Sequence, residues 1–241
     1  MIGDRLRNLL HLGSVQQQSG RTAGSTPVEV AGAGGRAAAA SRAGAAAQES
    51  IRHSHGLEQF FSAIRDRESA TILDLSGASQ ANVNFITSLG HRLYSDDFLR
   101  SLDNVFGEES PGELQARPDR IEAFLSECLD YPTQHFDGAL VWDMLQHLAP
   151  HLLERAVSRL HRILRPGSYV LCFFSADEKT TSVPAYTYRI CDSRTLHLTL
   201  RGYRRPAQLF NNRALERLFQ NFESVKFFLT RQHIREVIVR R

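Results

Sequence analysis

The sequence predicts a doubly wound α/β fold, whose mostly parallel sheet ends in an antiparallel C-terminal strand pair, preceded by a disordered N-terminal extension. Three observations predict it. Residues 1–50 hold 11 Ala and 8 of the chain's 16 Gly, while all 21 aromatic residues lie after Gln48. From Leu57 onward, short apolar runs alternate with segments of helical period. The last two apolar runs, 222–230 and 235–240, are joined by so short a connection that they must run antiparallel.

Composition divides the chain into an amphipathic segment at 1–12, an Ala/Gly/Ser-rich linker at 13–55 and a compact domain at 56–241. A domain of that length buries a sizeable core without disulfide or metal staples. Three scattered cysteines, Cys128, Cys172 and Cys191, form no disulfide framework, so a reducing, cytoplasmic setting is expected. No apolar run reaches the roughly 20 residues that span a bilayer, so no transmembrane segment is expected. Asp4, Arg5, Arg7 and Asn8 interrupt the N-terminus, which therefore lacks the apolar stretch of a secretory signal. Residues 201–241 carry a local charge of +7, but the chain has 27 Arg and only 2 Lys, so Arg is its ordinary surface cation. No stacking-aromatic motif accompanies the charge, and nucleic acid is not the expected partner.

The elements follow in order. Ile2, Leu6, Leu9 and Leu10 form one face of a short helix that is marginal alone, so residues 2–10 are expected to dock on a protein or membrane surface. Glu58 to Ile64 reads as a helix, Thr71 to Leu75 as a buried strand, Ala81 to Leu89 as a helix closed by Gly90, and His91 to Ser95 as a second strand. Strand, helix, strand at this spacing is a right-handed parallel crossover. Ile121, Phe124, Leu125, Cys128 and Leu129 fall on one helical face. Phe136 to Trp142 is a buried strand, Pro150 to Leu164 a helix with Pro in its first turn, and Ser168 to Phe174 a further strand. Tyr186 to Ile190 and Thr195 to Leu200 alternate as a hairpin, and Asn211 to Phe219 is a helix.

In such sheets ligands bind at the carboxyl ends of the strands, around the switch point of the strand order. That places Asp74, the turn from Ser76 to Gln80, Asp96, Asp97, Trp142 and Asp143 at the candidate site. Asp74 reads either as a ligand-facing carboxylate or as a strand-end Asp that organises the turn. Asp97, with Asp96 as alternate, reads as an acceptor for ribose hydroxyls or as the N-cap of a helix from Phe98. Trp142 lines the pocket or fills core. His147 has the chemistry of a general base, or packs ahead of Pro150. His147 and His151 are four apart, but Pro150 separates them and no third ligand is near, so no metal is expected.

The order of these elements over residues 57–241 resembles class I S-adenosylmethionine-dependent methyltransferases. Ile72-Leu-Asp-Leu75 is similar to their first strand with its acid, and Gly90-His-Arg-Leu-Tyr-Ser-Asp-Asp97 to the second strand with its ribose-binding acid. Phe136 to Leu148 resembles the fourth strand and its loop, and Leu160-His-Arg-Ile-Leu-Arg-Pro-Gly167 the entry to the fifth. The resemblance implies a Rossmann-like fold, S-adenosylmethionine as cofactor, and a methyl acceptor whose identity the sequence does not reveal. It implies that Asp74, Ser76, Gly77, Ala78, Asp96, Asp97, Asp130, Trp142 and Asp143 contact the cofactor. Asp130 stands near the adenine-binding acid, although a helix replaces the third strand before it.

The family's glycine-rich turn is degenerate here: Ser76, Ala78 and Gln80 stand where it has glycines, and only Gly77 remains. Side chains there, Gln80 above all, are expected to strain the turn or crowd the cofactor, so binding is weakened or lost. Two functions follow: an S-adenosylmethionine-dependent methyltransferase on an unidentified acceptor, or a catalytically degenerate member of the fold that serves as an interaction module. The chain lacks the motifs for methylating base amines or pyrimidine carbon, a phosphate-binding Walker loop and a Gly-x-Ser-x-Gly elbow.

Overall fold

The structure, a computed structural model, describes residues 49–107, 112–177, 179–230 and 234–241. The N-terminal helix expected at residues 2–10, and most of the expected linker, lie outside the described residues. Among the described residues, nine strands and six α-helices follow in the order β1 (Glu49–His53), α1 (His55–Ile64), β2 (Thr71–Asp74), α2 (Gln80–Ser88), β3 (Arg92–Ser95), α3 (Phe98–Phe106), α4 (Pro118–Cys128), β4 (Phe136–Trp142), α5 (Pro150–Ile163), β5 (Leu164–Ser175), β6 (Val183–Asp192), β7 (Thr195–Arg204), α6 (Asn212–Leu218), β8 (Ser224–Leu229) and β9 (Ile234–Arg240).

The central sheet has six strands in the order β3-β2-β4-β5-β9-β8. β2 pairs in parallel with β3 and β4, and β4 with β5, whereas β9 runs antiparallel to both β5 and β8. The strand order reverses beside β2, whose crossover leads first to β3 and then across to β4. This is the class I methyltransferase-like fold, with the reversed strand one place in from the edge. As the sequence pattern predicts, a helix, α4, precedes β4 where the family has its third strand.

The core follows from periodicity. β2 and β4 are buried along their whole length, as strands covered on both faces must be. α1 turns Leu57, Phe60, Phe61 and Ile64 inward and packs on β4, β5 and β9. Phe60 presses so closely on Gly138 that a Cβ there would lie 2.6 Å from the ring. α4 buries Ile121, Phe124, Leu125 and Cys128, the face its spacing predicts. Asp137 clamps the start of β4 by accepting from the Thr71 amide and from Arg67 and Arg165. Among the described residues no helix is long and apolar enough to cross a membrane.

A second, three-stranded antiparallel sheet, β1-β7-β6, contains the predicted hairpin and one strand the sequence reading places in the linker. β1 falls within residues 13–55, where the sequence reading expects linker. From exposed Ile51 in β1 to buried Gly56 in α1, successive residues alternate in burial. Arg52 and Ser54 point inward to Glu236 of β9, a carboxylate with no exposure. Arg52 donates to it at 2.7 Å, the Ser54 hydroxyl at 2.9 Å and the Gly56 amide at 2.7 Å. The Arg52 guanidinium also lies over the Phe173 ring.

That buried pair generates a prediction. Arg52→Ala removes the cation and leaves the Glu236 carboxylate buried, which should lower the unfolding free energy by about 3–5 kcal/mol. Ile51→Ala, one residue away but 71% exposed, should change it by less than about 0.5 kcal/mol. Urea denaturation of the two variants checks the contrast.

Candidate functional site

The carboxyl ends of β2 and β4 meet at Asp74. Its side chain has no solvent exposure, and all of its contacts are internal. Oδ1 accepts from the Ser76 amide at 2.9 Å, the Ser76 hydroxyl at 2.7 Å and the Trp142 indole Nε1 at 2.7 Å. Oδ2 accepts from the Asn82 amide group at 2.8 Å. Burial raises the pKa of Asp74 from its ordinary value, opposed by the hydrogen bonds from Trp142, Ser76 and Asn82.

Asn82 belongs to the first turn of α2, a helix that starts where Ser79 caps the amide of Asn82 itself. The Asn82 side chain is fully buried. Besides Asp74, its Nδ2 donates to the Tyr188 carbonyl at 3.0 Å, and its Oδ1 accepts from the Ile190 amide at 2.8 Å. One side chain therefore ties the turn after β2 to the hairpin strand β6. Tyr188 lies flat on Trp142, with ring centroids 4.6 Å apart and planes 9° from parallel. Trp142 ends β4 with φ of 56°, a conformation that a non-glycine residue holds only when its surroundings fix it. The Asp74 bond and the Tyr188 stack supply that fixing.

The degenerate turn is accommodated without the expected strain. Gly77, the one glycine kept, has φ of 90°, the conformation that favours glycine. Ser76, Ala78 and Gln80 all keep negative φ, and Gln80 is an exposed first residue of α2 that bonds Asn84. The expected crowding by Gln80 is thus corrected: the side chain points away from the turn. The turn instead closes on the end of β3. Ser76 forms an isolated bridge with Asp97, and the Gly77 amide donates to the Asp96 carbonyl at 3.1 Å. A Cβ on Gly77 would lie 3.3 Å from the Asp97 carboxylate. Asp97 caps α3 by accepting from the Arg100 amide, and Arg201 approaches it at 3.9 Å. The Asp96 carboxylate accepts from the Tyr131 hydroxyl.

The remaining candidates are Ala78, Asp130, Asp143 and His147. Ala78 and Asp130 are exposed. Asp143 is buried beside Tyr188, and burial raises its pKa to about 7. His147 lines a different cleft, of about 1210 Å³, with Asp103, Tyr203, Arg204 and Arg205. Burial and the Arg204 charge lower its pKa to about 4, which leaves a neutral imidazole of low basicity. Sequence reasoning missed Asn82 and Tyr188. For Asn82 a signal exists: it stands four residues before Ile86, on the apolar face of α2, where a polar residue needs a buried partner.

The structure therefore brings Asp74, Ser76, Gly77, Asp96, Asp97 and Trp142 together, but it joins them to one another. The acceptors of Asp74 are taken by protein donors, and the turn rests directly on the acid assigned to the ribose.

No protein-family model matches the chain, and no curated protein matches it. Among solved structures the chain is similar to a 1,6-didemethyltoxoflavin-N1-methyltransferase of Burkholderia thailandensis with bound 1,6-didemethyltoxoflavin and S-adenosylhomocysteine. The identity is 14% over 77% of this chain and 76% of that one, with a TM-score of 0.42. It is similar at 14% identity and a TM-score of 0.42 to a SAM-dependent methyltransferase of Methanosarcina mazei, over 73% of this chain and 93% of that one. A SAM-dependent methyltransferase of Archaeoglobus fulgidus shares 10% identity, with a TM-score of 0.42, over 77% and 91% of the two chains. The fold rests on the strand order above, and these likenesses add no argument about activity.

Two predictions come from the site. Asn82→Ala strands the Ile190 amide and removes a donor from Asp74, so it should lower stability by about 1–3 kcal/mol per group left unpaired. Hydrogen exchange should show the Ile190 amide losing protection while β5 keeps its own. Folding strengthens the hold of Asp143 on a proton, so its contribution to stability is present below about pH 4 and lost as pH rises through about 7. His147 acts in the opposite sense, its contribution being present above its ordinary pKa and lost as pH falls towards 4. Asp143→Asn should therefore gain stability over the parent by about 1.4 kcal/mol per pH unit between pH 4 and 7. Thermal melts of both proteins across that range check the sign.

Proposed function

We propose that this chain is a catalytically degenerate methyltransferase-fold protein that serves as an interaction module, its cofactor pocket given over to packing. The single observation that carries this reading is the saturation of Asp74 by Ser76, Asn82 and Trp142. A carboxylate that must face a charged ligand needs free acceptors, and a buried one whose acceptors are filled is a structural tie. The side chains that seal it, Asn82 and Tyr188, come from the helix and hairpin that flank the pocket. What the closed fold offers is the outer face of the three-stranded sheet, where Ile51, Arg189 and His197 lie in register.

A second reading, an S-adenosylmethionine-dependent methyltransferase on an unidentified acceptor, is favoured by Asp143. A carboxyl group with a pKa of about 7 at the carboxyl end of β4 has the basicity to take a proton from an acceptor at neutral pH. This reading requires the turn to part from Asp97 and the hairpin to lift from Trp142.

Calorimetric titration of the full chain with S-adenosylmethionine and S-adenosylhomocysteine separates the two. The interaction-module reading predicts no saturable heat up to millimolar ligand. Saturable binding in the micromolar range would contradict it and support the methyltransferase. In that case Asp143→Asn should lower kcat by about 10²–10⁴-fold with little change in the affinity for S-adenosylhomocysteine.

A further inference from the structure

At the junction of β1 and α1, three side chains with metal-ligand chemistry converge. Ser54 is extended, with φ of −127° and ψ of 112°, so His53 and His55 project to the same side of the chain. The burial pattern agrees, since Arg52, Ser54 and Gly56 are buried and His53 and His55 exposed. Glu58 follows His55 by three residues in the first turn of α1, which brings it onto the same face.

The atoms are correspondingly close. His53 Nε2 lies 3.9 Å and His55 Nδ1 3.8 Å from Glu58 Oε2. One ligand atom from each of the three residues fits within 4.8 Å of the others. Among the described residues this is a group of three such side chains in mutual reach, two imidazoles and one carboxylate. We propose that His53, His55 and Glu58 bind a divalent transition-metal ion of the zinc, nickel or copper class.

Two features argue for that class. Imidazole nitrogen with one carboxylate oxygen suits late first-row ions, whereas calcium and magnesium favour oxygen. With bonds of about 2.0–2.1 Å, the ligand atoms of a tetrahedral site lie about 3.3 Å apart. Closing on an ion therefore asks for roughly 0.5–1.5 Å of movement from exposed side chains, which rotamer changes supply without moving the backbone. The backbone is already fixed. The Ser54 amide donates to the Arg194 carbonyl at 2.8 Å, the Leu57 amide donates to the Ser54 hydroxyl, and that hydroxyl and the Gly56 amide hold Glu236. The segment that carries the ligands is thus anchored from its inner side, which lowers the entropy lost on binding.

Three protein ligands leave a coordination position open, the pattern of sites that admit an exogenous ligand rather than of closed structural sites. A shallow depression of about 510 Å³ adjoins the site, lined by His55, Glu58, Gln59, Ser62, Tyr169 and Phe228, and offers room for that ligand. From the His147 and His151 pair alone, the sequence reading expects no metal, and this proposal departs from that expectation.

Zinc chloride titrated into the untagged full chain tests the proposal. One equivalent should bind saturably, and His53→Ala, His55→Ala and Glu58→Gln should each weaken binding about tenfold or more. His151→Ala, at an exposed position outside the group, should leave it unchanged. All three ligand positions are exposed, so unchanged circular dichroism and melting in the variants should accompany the loss. Copper(II) bound to the parent protein should show two coordinated nitrogens by electron paramagnetic resonance, a readout that needs no variant. Absence of saturable binding, retention of affinity in the His53→Ala/His55→Ala double variant, or a nitrogen count other than two would overturn the proposal.

Discussion

The carboxylate of Asp74 is the constraint on which the candidate site depends. A buried charge without partners is strongly unfavourable, and this one gathers donors from three directions: the turn after β2, the first turn of α2, and the last residue of β4. Each donor is then committed to a geometry. The Ser76 amide fixes the turn, the Asn82 side chain fixes α2 and β6 together, and the indole holds Trp142 in its positive φ. The polar groups around the switch point of the sheet are consequently bonded to one another. The loss of glycines at 76, 78 and 80 fits the same account. On the proposed reading no ligand approaches the backbone, so side chains are tolerated wherever φ is ordinary, and glycine stands only at 77, where φ is positive.

A second buried carboxylate, Glu236, does for the edge of the domain what Asp74 does for its centre. It stands beside the buried apolar run Val237, Ile238 and Val239 of β9, and its partners Arg52, Ser54 and Gly56 all precede or begin α1. The pair binds β1 to the main sheet, and β1 in turn pairs with β7 along its length. The hairpin is thus held from two sides, by Asn82 at β6 and by β1 at β7. That double attachment bears on function, because the closure over Trp142 loosens only if the hairpin moves. It also bears on the metal proposal, since Ser54 orients His53 and His55 outward by turning inward itself.

Much of the fold was legible in the sequence because its elements are amphipathic at strict periods. The faces of α4 and α1, the buried strands β2 and β4, and the antiparallel end each follow from spacing alone. β1 was hidden, because Glu49 to His53 is polar and follows an Ala/Gly-rich tract, and its strand state comes from pairing with β7 and from Glu236, both more than 140 residues away. The site was half legible. Asp74 and Asp97 could be placed at strand ends, but sequence could not say whether their acceptors face a ligand or the protein. That depended on Asn82 and Tyr188, which reach Asp74 and Trp142 only through tertiary packing.

Trp142 offers the most direct test of the central claim, that Asp74 is satisfied from within the protein. The chain contains one tryptophan, so its indole Nε1–H gives a single, unambiguous amide-region resonance in a nitrogen-15 spectrum. If the indole donates to a buried Asp74 carboxylate beneath a stacked Tyr188, its proton should exchange with solvent only as slowly as the most protected amides of the core sheet. Exchange as fast as that of surface amides would mean that Trp142 is released and Asp74 open to a ligand, and would contradict the account.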